Sequence, residues 1–237
     1  MPSFFLDHPT ARYGLGVFET VLVKDGAPVF YQEHLESIQK AAHALDLPAC
    51  DQDILTQERS LLQGDGIWRW LITPTGTLSF FEPGIPPPPE SFELRTSQLR
   101  VSSASWEARY KTMSYLLRLQ AKREAGGQEN SEAVLLNEHN IVASAGMANI
   151  FWARDGTIFT PTAASGCREG VVRRWVLEKS GVPVQQVEAR LEELLASDEI
   201  WLTNSRVGVV PATCIDSVEK KSGPIAQTLQ KKYAGAI

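Results

Sequence analysis

The chain has 237 residues, 43% of them hydrophobic and 22% charged, an ordinary globular composition that excludes a disordered or fibrous protein. A net charge of −5 excludes a dedicated nucleic-acid binder. No apolar run approaches the roughly 18 residues that cross a bilayer, and the opening MPSFFLDHPTARYG lacks the basic start and apolar stretch of a signal peptide, so a cytoplasmic protein with no membrane partner is expected.

Taken in chain order, GVFETVLVKDGAPVFY alternates apolar and polar residues around Asp25-Gly26, the signature of a hairpin. From Glu33 to Leu45 the apolar residues Leu35, Ile38, Ala41, Ala42 and Leu45 form a helical stripe that ends before Pro48. Asp51 is the expected N-cap of a second helix running to Leu62. IWRWLITPTGTLSFFEP predicts another hairpin, and the proline-rich run from Pro83 to Glu90 is neither helix nor central strand. SFELRTSQLRVSS supplies one more strand.

The stretch ARYKTMSYLLRLQAKREAGG follows, with Lys111 expected just ahead of an amphipathic helix. By itself this lysine reads either as an ordinary residue at the start of a solvated helix or as an amine held dry for imine chemistry. The run from Glu132 to Thr162 is a dense series of strands with turns at Asn137-Glu138 and Asp155-Gly156. REGVVRRWVLEKSG predicts a helix introduced by Gly170 and closed at Gly181. Strand, short helix and two strands come next, then a final helix with Pro224 near its start. The fold class is therefore α+β in two domains, with residues 1–102 as a small domain, 103–110 as a connection and 111–237 as a larger, strand-rich domain. Three separated cysteines suit reduced thiols, and four scattered histidines predict no metal site. Trp68, Trp70, Trp152 and Trp201 are expected in the cores, and Pro83 to Pro89 on the surface as a stiff loop.

Several segments then fall into a familiar order: GLGVFET (Gly14 to Thr20), His34-Leu35, YKTMSYL around Lys111, VASAGMANIF ending at Phe151, Thr160-Pro161, GVVRRWVLE (Gly170 to Glu178) and SDEIWLTNSRVGVVP (Ser197 to Pro211). Together they resemble the class IV aminotransferase family, the fold-type IV enzymes that use pyridoxal 5'-phosphate (PLP). The short length and the LTNSRVGVVP ending are most similar to its 4-amino-4-deoxychorismate lyase branch. The resemblance implies a PLP-dependent enzyme of the D-amino-acid aminotransferase-like fold, acting on a small amino-acid-like molecule and forming a homodimer. Residues 111–237 would then be the cofactor-binding domain.

Residue by residue, the resemblance puts Lys111 at the Schiff-base position, where an apolar setting would favour the reactive amine. Tyr115, read as one helical turn further on, would face the cofactor's phenolic oxygen. The phosphate would sit on the amides of Val171 and Val172 at the helix start opened by Gly170, with the Ser205 hydroxyl nearby. Two positions depart from the pattern. Ser37 stands where the family carries a phosphate-binding arginine, leaving Lys40, Arg69 and Arg12 as possible substitutes. Ser144 stands where the family carries the glutamate that keeps the pyridine nitrogen protonated, so Arg173, which the family places near that glutamate, would lack its carboxylate neighbour. A weaker electron sink suits elimination better than transamination. The implied function is a lyase that releases pyruvate, with an aminotransferase and a non-catalytic relative as alternatives.

Overall fold

The structure, a computed structural model, describes residues 8–237. The chain forms two compact units, one made of the described residues up to Pro86 with Tyr110–Tyr115, the other of Pro87–Arg109 with Leu116–Ile237.

In the first unit, α1 (Pro9–Tyr13), β1 (Val17–Lys24), β2 (Ala27–Pro28), α2 (Tyr31–Ala44), α3 (Gln52–Arg59), β3 (Gly66–Thr73) and β4 (Gly76–Pro83) follow in order. The strands form an antiparallel sheet ordered β2-β1-β3-β4. Asp25 and Gly26 both have positive φ (49° and 76°), as a tight two-residue hairpin turn requires. The stripe of α2 packs Leu35, Ile38, Ala41 and Ala42 on Val17, Val21, Val23, Trp68 and Trp70 in one core. Asp51 caps α3 by accepting from the amides of Asp53 and Ile54 at 3.0 and 3.2 Å.

The second unit contains β5 (Phe92–Val101), α4 (Trp106–Arg109), α5 (Leu116–Glu124), β6 (Ser131–Asn137), β7 (Val142–Ala145), β8 (Asn149–Arg154) and β9 (Thr157–Pro161). After these come α6 (Val171–Lys179), β10 (Val184–Val187), α7 (Leu191–Leu195), β11 (Glu199–Asn204), β12 (Gly208–Ile215), β13 (Val218–Glu219) and α8 (Pro224–Ala234). The strand order is β10-β9-β8-β11-β12-β5-β6-β7, with β13 added on β12. Pairing is mixed: β5 runs parallel to both β6 and β12, while β8 and β11 are antiparallel. Only residues 146–148 link β7, at one end of this order, to β8 near the other. The sheet must curl to allow it, which encloses a core that includes Val134, Val142, Ile150, Trp152, Ile200 and Leu202.

Two boundaries differ from the sequence reading. The strand 92–101 belongs to the second sheet rather than to the small N-terminal domain, because its partners β6 and β12 are remote in sequence. Residues 110–115 pair instead with the first unit. Thr112 bridges Val17, the amide of Phe18 donates to Lys111 O at 2.9 Å, and the amide of Met113 donates to Gly16 O at 2.9 Å. Lys111 therefore lies on an extended segment, and the helix begins only at Leu116. The four tryptophans expected inside are buried, and residues 84–89 adopt no regular structure.

Candidate active site

Strand β1 divides its side chains between two faces, since neighbours alternate. Phe18 and Thr20 lie on the less buried face and Glu19 on the core face beneath α2. Lys111 Nζ donates to Thr20 Oγ1 at 3.0 Å and stands 4.8 Å from the centroid of the Phe18 ring. Tyr115 meets the same ring edge-on, with centroids 5.3 Å apart. Phe18 thus joins the two residues, although they are not a helical turn apart.

Behind Lys111 lies a buried carboxylate. Glu19 Oε1 accepts from Ser37 Oγ at 2.8 Å, and Glu19 Oε2 faces His34 Nδ1 at 2.9 Å. Burial pushes this carboxyl up, but the Lys111 ammonium and then the bonds from His34 and Ser37 outweigh it and hold Glu19 at about 2. An ionised carboxylate only accepts, so the His34 Nδ1 carries the hydrogen. The apolar setting expected for Lys111 is thus a mixed one, made of an aromatic face, a hydroxyl and the field of Glu19. Ser37 is occupied by Glu19. Of the three cations considered as substitutes, Arg69 reaches toward Thr20 Oγ1 at 3.5 Å while pairing with Glu82 at 3.1 Å. Arg12 and Lys40 are exposed on α1 and α2.

In the second unit, Ser144 lies on β7, Gly170 precedes α6 and Ser205 follows β11. Ser205 occupies the turn between β11 and β12, which Asn204 fixes by accepting from the amides of Arg206 and Val207 and donating to Met147 O at 3.3 Å. Gly170 is the N-cap of α6; no side chain caps the helix, and its first turn holds no acid. The amides of Val171 and Val172 are the donors such a start offers to an anion. Gly170 also has a packing reason. A Cβ there would collide with Asn149 Oδ1, and Asn149 is tied down by donating to Arg168 O at 2.7 Å and to Cys167 Sγ at 3.4 Å. Asn149 and Asn204 therefore position the loops, a role that an Asn following or ending a strand suggests only once the loops are seen to meet.

Ser144 on β7 receives a hydrogen bond from Arg118 Nη1 at 3.3 Å. The sequence reading considered Arg173 for this neighbourhood. Arg173 is buried on α6, where its Nη2 donates to Pro161 O at 2.9 Å and Gln186 Oε1 at 2.8 Å. The guanidinium hydrogen-bonded to Ser144 is that of Arg118 on α5. Arg118 escaped notice because its neighbours Leu116, Leu117 and Leu119 look like the inward face of the helix, yet they are exposed and Arg118 is buried.

The amino-transferase class IV family model matches residues 16–215. This chain belongs to that family. Aminodeoxychorismate lyase of Bacillus subtilis is 30% identical over 95% of this chain and 86% of its own length. The crystal structure of 4-amino-4-deoxychorismate lyase from Pseudomonas aeruginosa superposes with a TM-score of 0.85 at 25% identity, covering 98% of this chain and 94% of that one. A hypothetical aminotransferase from Mycobacterium tuberculosis in its PLP-bound form has the same fold, with a TM-score of 0.84 at 21% identity over 100% of this chain and 93% of the other.

Each unit by itself offers one group whose chemistry suits a phosphorylated aldehyde. Lys111 is a half-buried primary amine held by Thr20, and the uncapped start of α6 is an anion seat without acidic competition.

Proposed function

We propose that this protein is a PLP-dependent lyase that acts like the aminodeoxychorismate lyases it resembles, removing pyruvate from an amino-substituted ring and leaving an aromatic amine. The observation that carries this reading is the Lys111 amine, pinned to β1 through its own carbonyl and set 3.0 Å from Thr20 Oγ1. Lys111 would hold the cofactor aldehyde, the amides of Val171 and Val172 with the Ser205 hydroxyl would hold its phosphate, and Tyr115 would serve the phenolic oxygen. When bound, PLP supplies an electron-withdrawing ring that spreads the charge developed on the substrate carbon. Lys111 removes the proton from the amino-bearing carbon, with Thr20 and the Phe18 face orienting its amine. The enol-ether bond on the adjacent carbon breaks, its oxygen leaves with the electron pair as the enol of pyruvate, and the ring becomes aromatic. Lys111 returns the proton to the departing fragment, so the step is balanced without an oxidant or an acceptor acid.

Purified protein mixed with PLP should form a borohydride-reducible adduct with its mass increment on Lys111, and Lys111→Ala should form none. Loaded protein should release pyruvate from 4-amino-4-deoxychorismate without an added keto acid. Conversion of the cofactor to its amine form by D-alanine or branched-chain amino acids, with no pyruvate release from the unsaturated ring, would reassign the protein as an aminotransferase. Absence of any adduct would make it a non-catalytic relative. The segment that bears the amine, Tyr110–Tyr115, belongs to the first unit, and the helix start assigned to the phosphate belongs to the second. No described helix is long and apolar enough to cross a membrane. We assign the protein a homodimeric state, in which Leu116, Leu117 and Leu119 supply apolar surface that the single chain leaves exposed.

A further inference from the structure

Arg118 and Ser144 form a built polar site within the second unit. Arg118 is only 4% exposed, and its Nη1 donates to Ser144 Oγ at 3.3 Å, to Ala145 O at 3.3 Å and to Gly146 O at 2.9 Å. The guanidinium is thereby fixed across the end of β7. A serine hydroxyl has one hydrogen and two lone-pair sites. Arg118 uses the oxygen, and among the described residues no acceptor takes the Ser144 hydrogen. What remains at position 144 is a hydrogen-bond donor beside a permanent cation.

Further guanidinium groups lie in the surroundings. Arg173 from α6, Arg168 from the loop before it and Arg118 all act electrostatically on buried Cys167. The buried acid of this region, Glu132 on β6, lies within the fields of Arg118 and Lys122 and accepts from the amide of Ala133. A protonated pyridine nitrogen is a donor with a positive charge. Facing this site it would meet a second donor and several guanidinium groups, whereas an unprotonated nitrogen would accept the Ser144 hydrogen.

Resting on the PLP-lyase reading above, we propose that this protein keeps the pyridine nitrogen of its cofactor unprotonated, with Ser144 as the donor and Arg118 as the residue that positions it. The arrangement replaces the carboxylate that the class resemblance implies at position 144, and it weakens the ring as an electron sink. Elimination tolerates this because the leaving oxygen carries the electron pair away.

The test uses the holoprotein loaded with PLP carrying 15N in the ring, after reduction of a sample has located the adduct on Lys111. The expected 15N resonance lies at the unprotonated pyridine position and stays there across the neutral pH range. Ser144→Glu, whose new carboxylate gains Arg118 as a partner, should move the resonance to the pyridinium position and speed conversion of the cofactor by amino acids to its amine form. Arg118→Lys should leave the resonance unprotonated, because the positive donor is kept. A wild-type resonance at the pyridinium position with the adduct present overturns this proposal and leaves the lyase reading standing. An unchanged resonance in folded, loaded Ser144→Glu removes Ser144 from the ring nitrogen and overturns the proposal as well. No adduct on Lys111 overturns both.

Discussion

Glu19→Gln tests the charge cluster behind Lys111 without any cofactor. The side chain is 6% exposed and its carboxyl is held at about 2 against an ordinary 4.5. At roughly 1.4 kcal/mol per tenfold change in proton affinity, the difference corresponds to about 3 kcal/mol of stability in the first unit. Because the folded value is depressed, this contribution is present in full above pH 4.5 and is lost as the pH falls toward 2. Glutamine keeps an acceptor for Ser37 or His34 but no charge for Lys111, so the variant should be less stable by about 3 kcal/mol at neutral pH. The gap should close on acidification. Urea-dependent hydrogen exchange, read on peptides from β1 and α2, isolates the unit that contains Glu19 and avoids assuming that the whole chain unfolds in one step. Lys111→Met removes the largest of the influences that lower Glu19, so its protection should be lost at a higher pH than in the wild type. Parallel loss of protection in wild type and Glu19→Gln across this window would refute the reasoning.

Glu132→Gln should behave in the opposite way. Burial pushes this carboxyl up despite the amide of Ala133, so the folded state favours the proton, and the variant should gain stability relative to wild type as the pH rises, measured by thermal unfolding. Gly170→Ala should lower the unfolding temperature, at a cost of about 1–3 kcal/mol, because Asn149 cannot retreat without losing its bonds to Arg168 and Cys167; Asn149→Ala in the same background should recover part of the loss. Ser37→Arg should tighten PLP binding by about tenfold, the lower end of a charge-assisted phosphate contact, with Glu19 holding the new guanidinium in place. Titration by absorbance measures this, and an unchanged affinity would place the phosphate away from α2.

What the sequence made legible was local. The Asp25-Gly26 turn, the α2 stripe and the Asp51 cap follow from backbone and side-chain preferences within a few residues, and all three are present. The ordered motifs also carried the family. The membership of β5 was hidden because parallel pairing with β6 and β12 depends on segments far away in the chain. The extended course of 111–115 was hidden for a related reason, since its amide and carbonyl groups are satisfied by β1 rather than by a helix. Arg118 was hidden by the opposite of a hydrophobic pattern, a charged residue turned inward because carbonyls at the end of β7 accept its hydrogens while leucines beside it face out.

The two serines that break the family pattern are explained by their new partners. Most hydroxyls withdrawn from water are hydrogen-bonded, and each of these is bonded to a charge of a different sign: Ser37 donates to the carboxylate of Glu19, and Ser144 accepts from the guanidinium of Arg118. The negative charge lies behind the Lys111 amine in the first unit, and the positive charge lies beside Ser144 in the second. The charge of Lys111 and the carboxylate of Glu19 favour one another, and under the proposal above the Arg118 guanidinium would favour a neutral ring. A neutral ring would lower the power of the site to hold a long-lived carbanion. A reaction whose leaving group removes the electron pair at once needs less of that power than one that must store it, which is the physical reason to favour elimination over transamination for this chain.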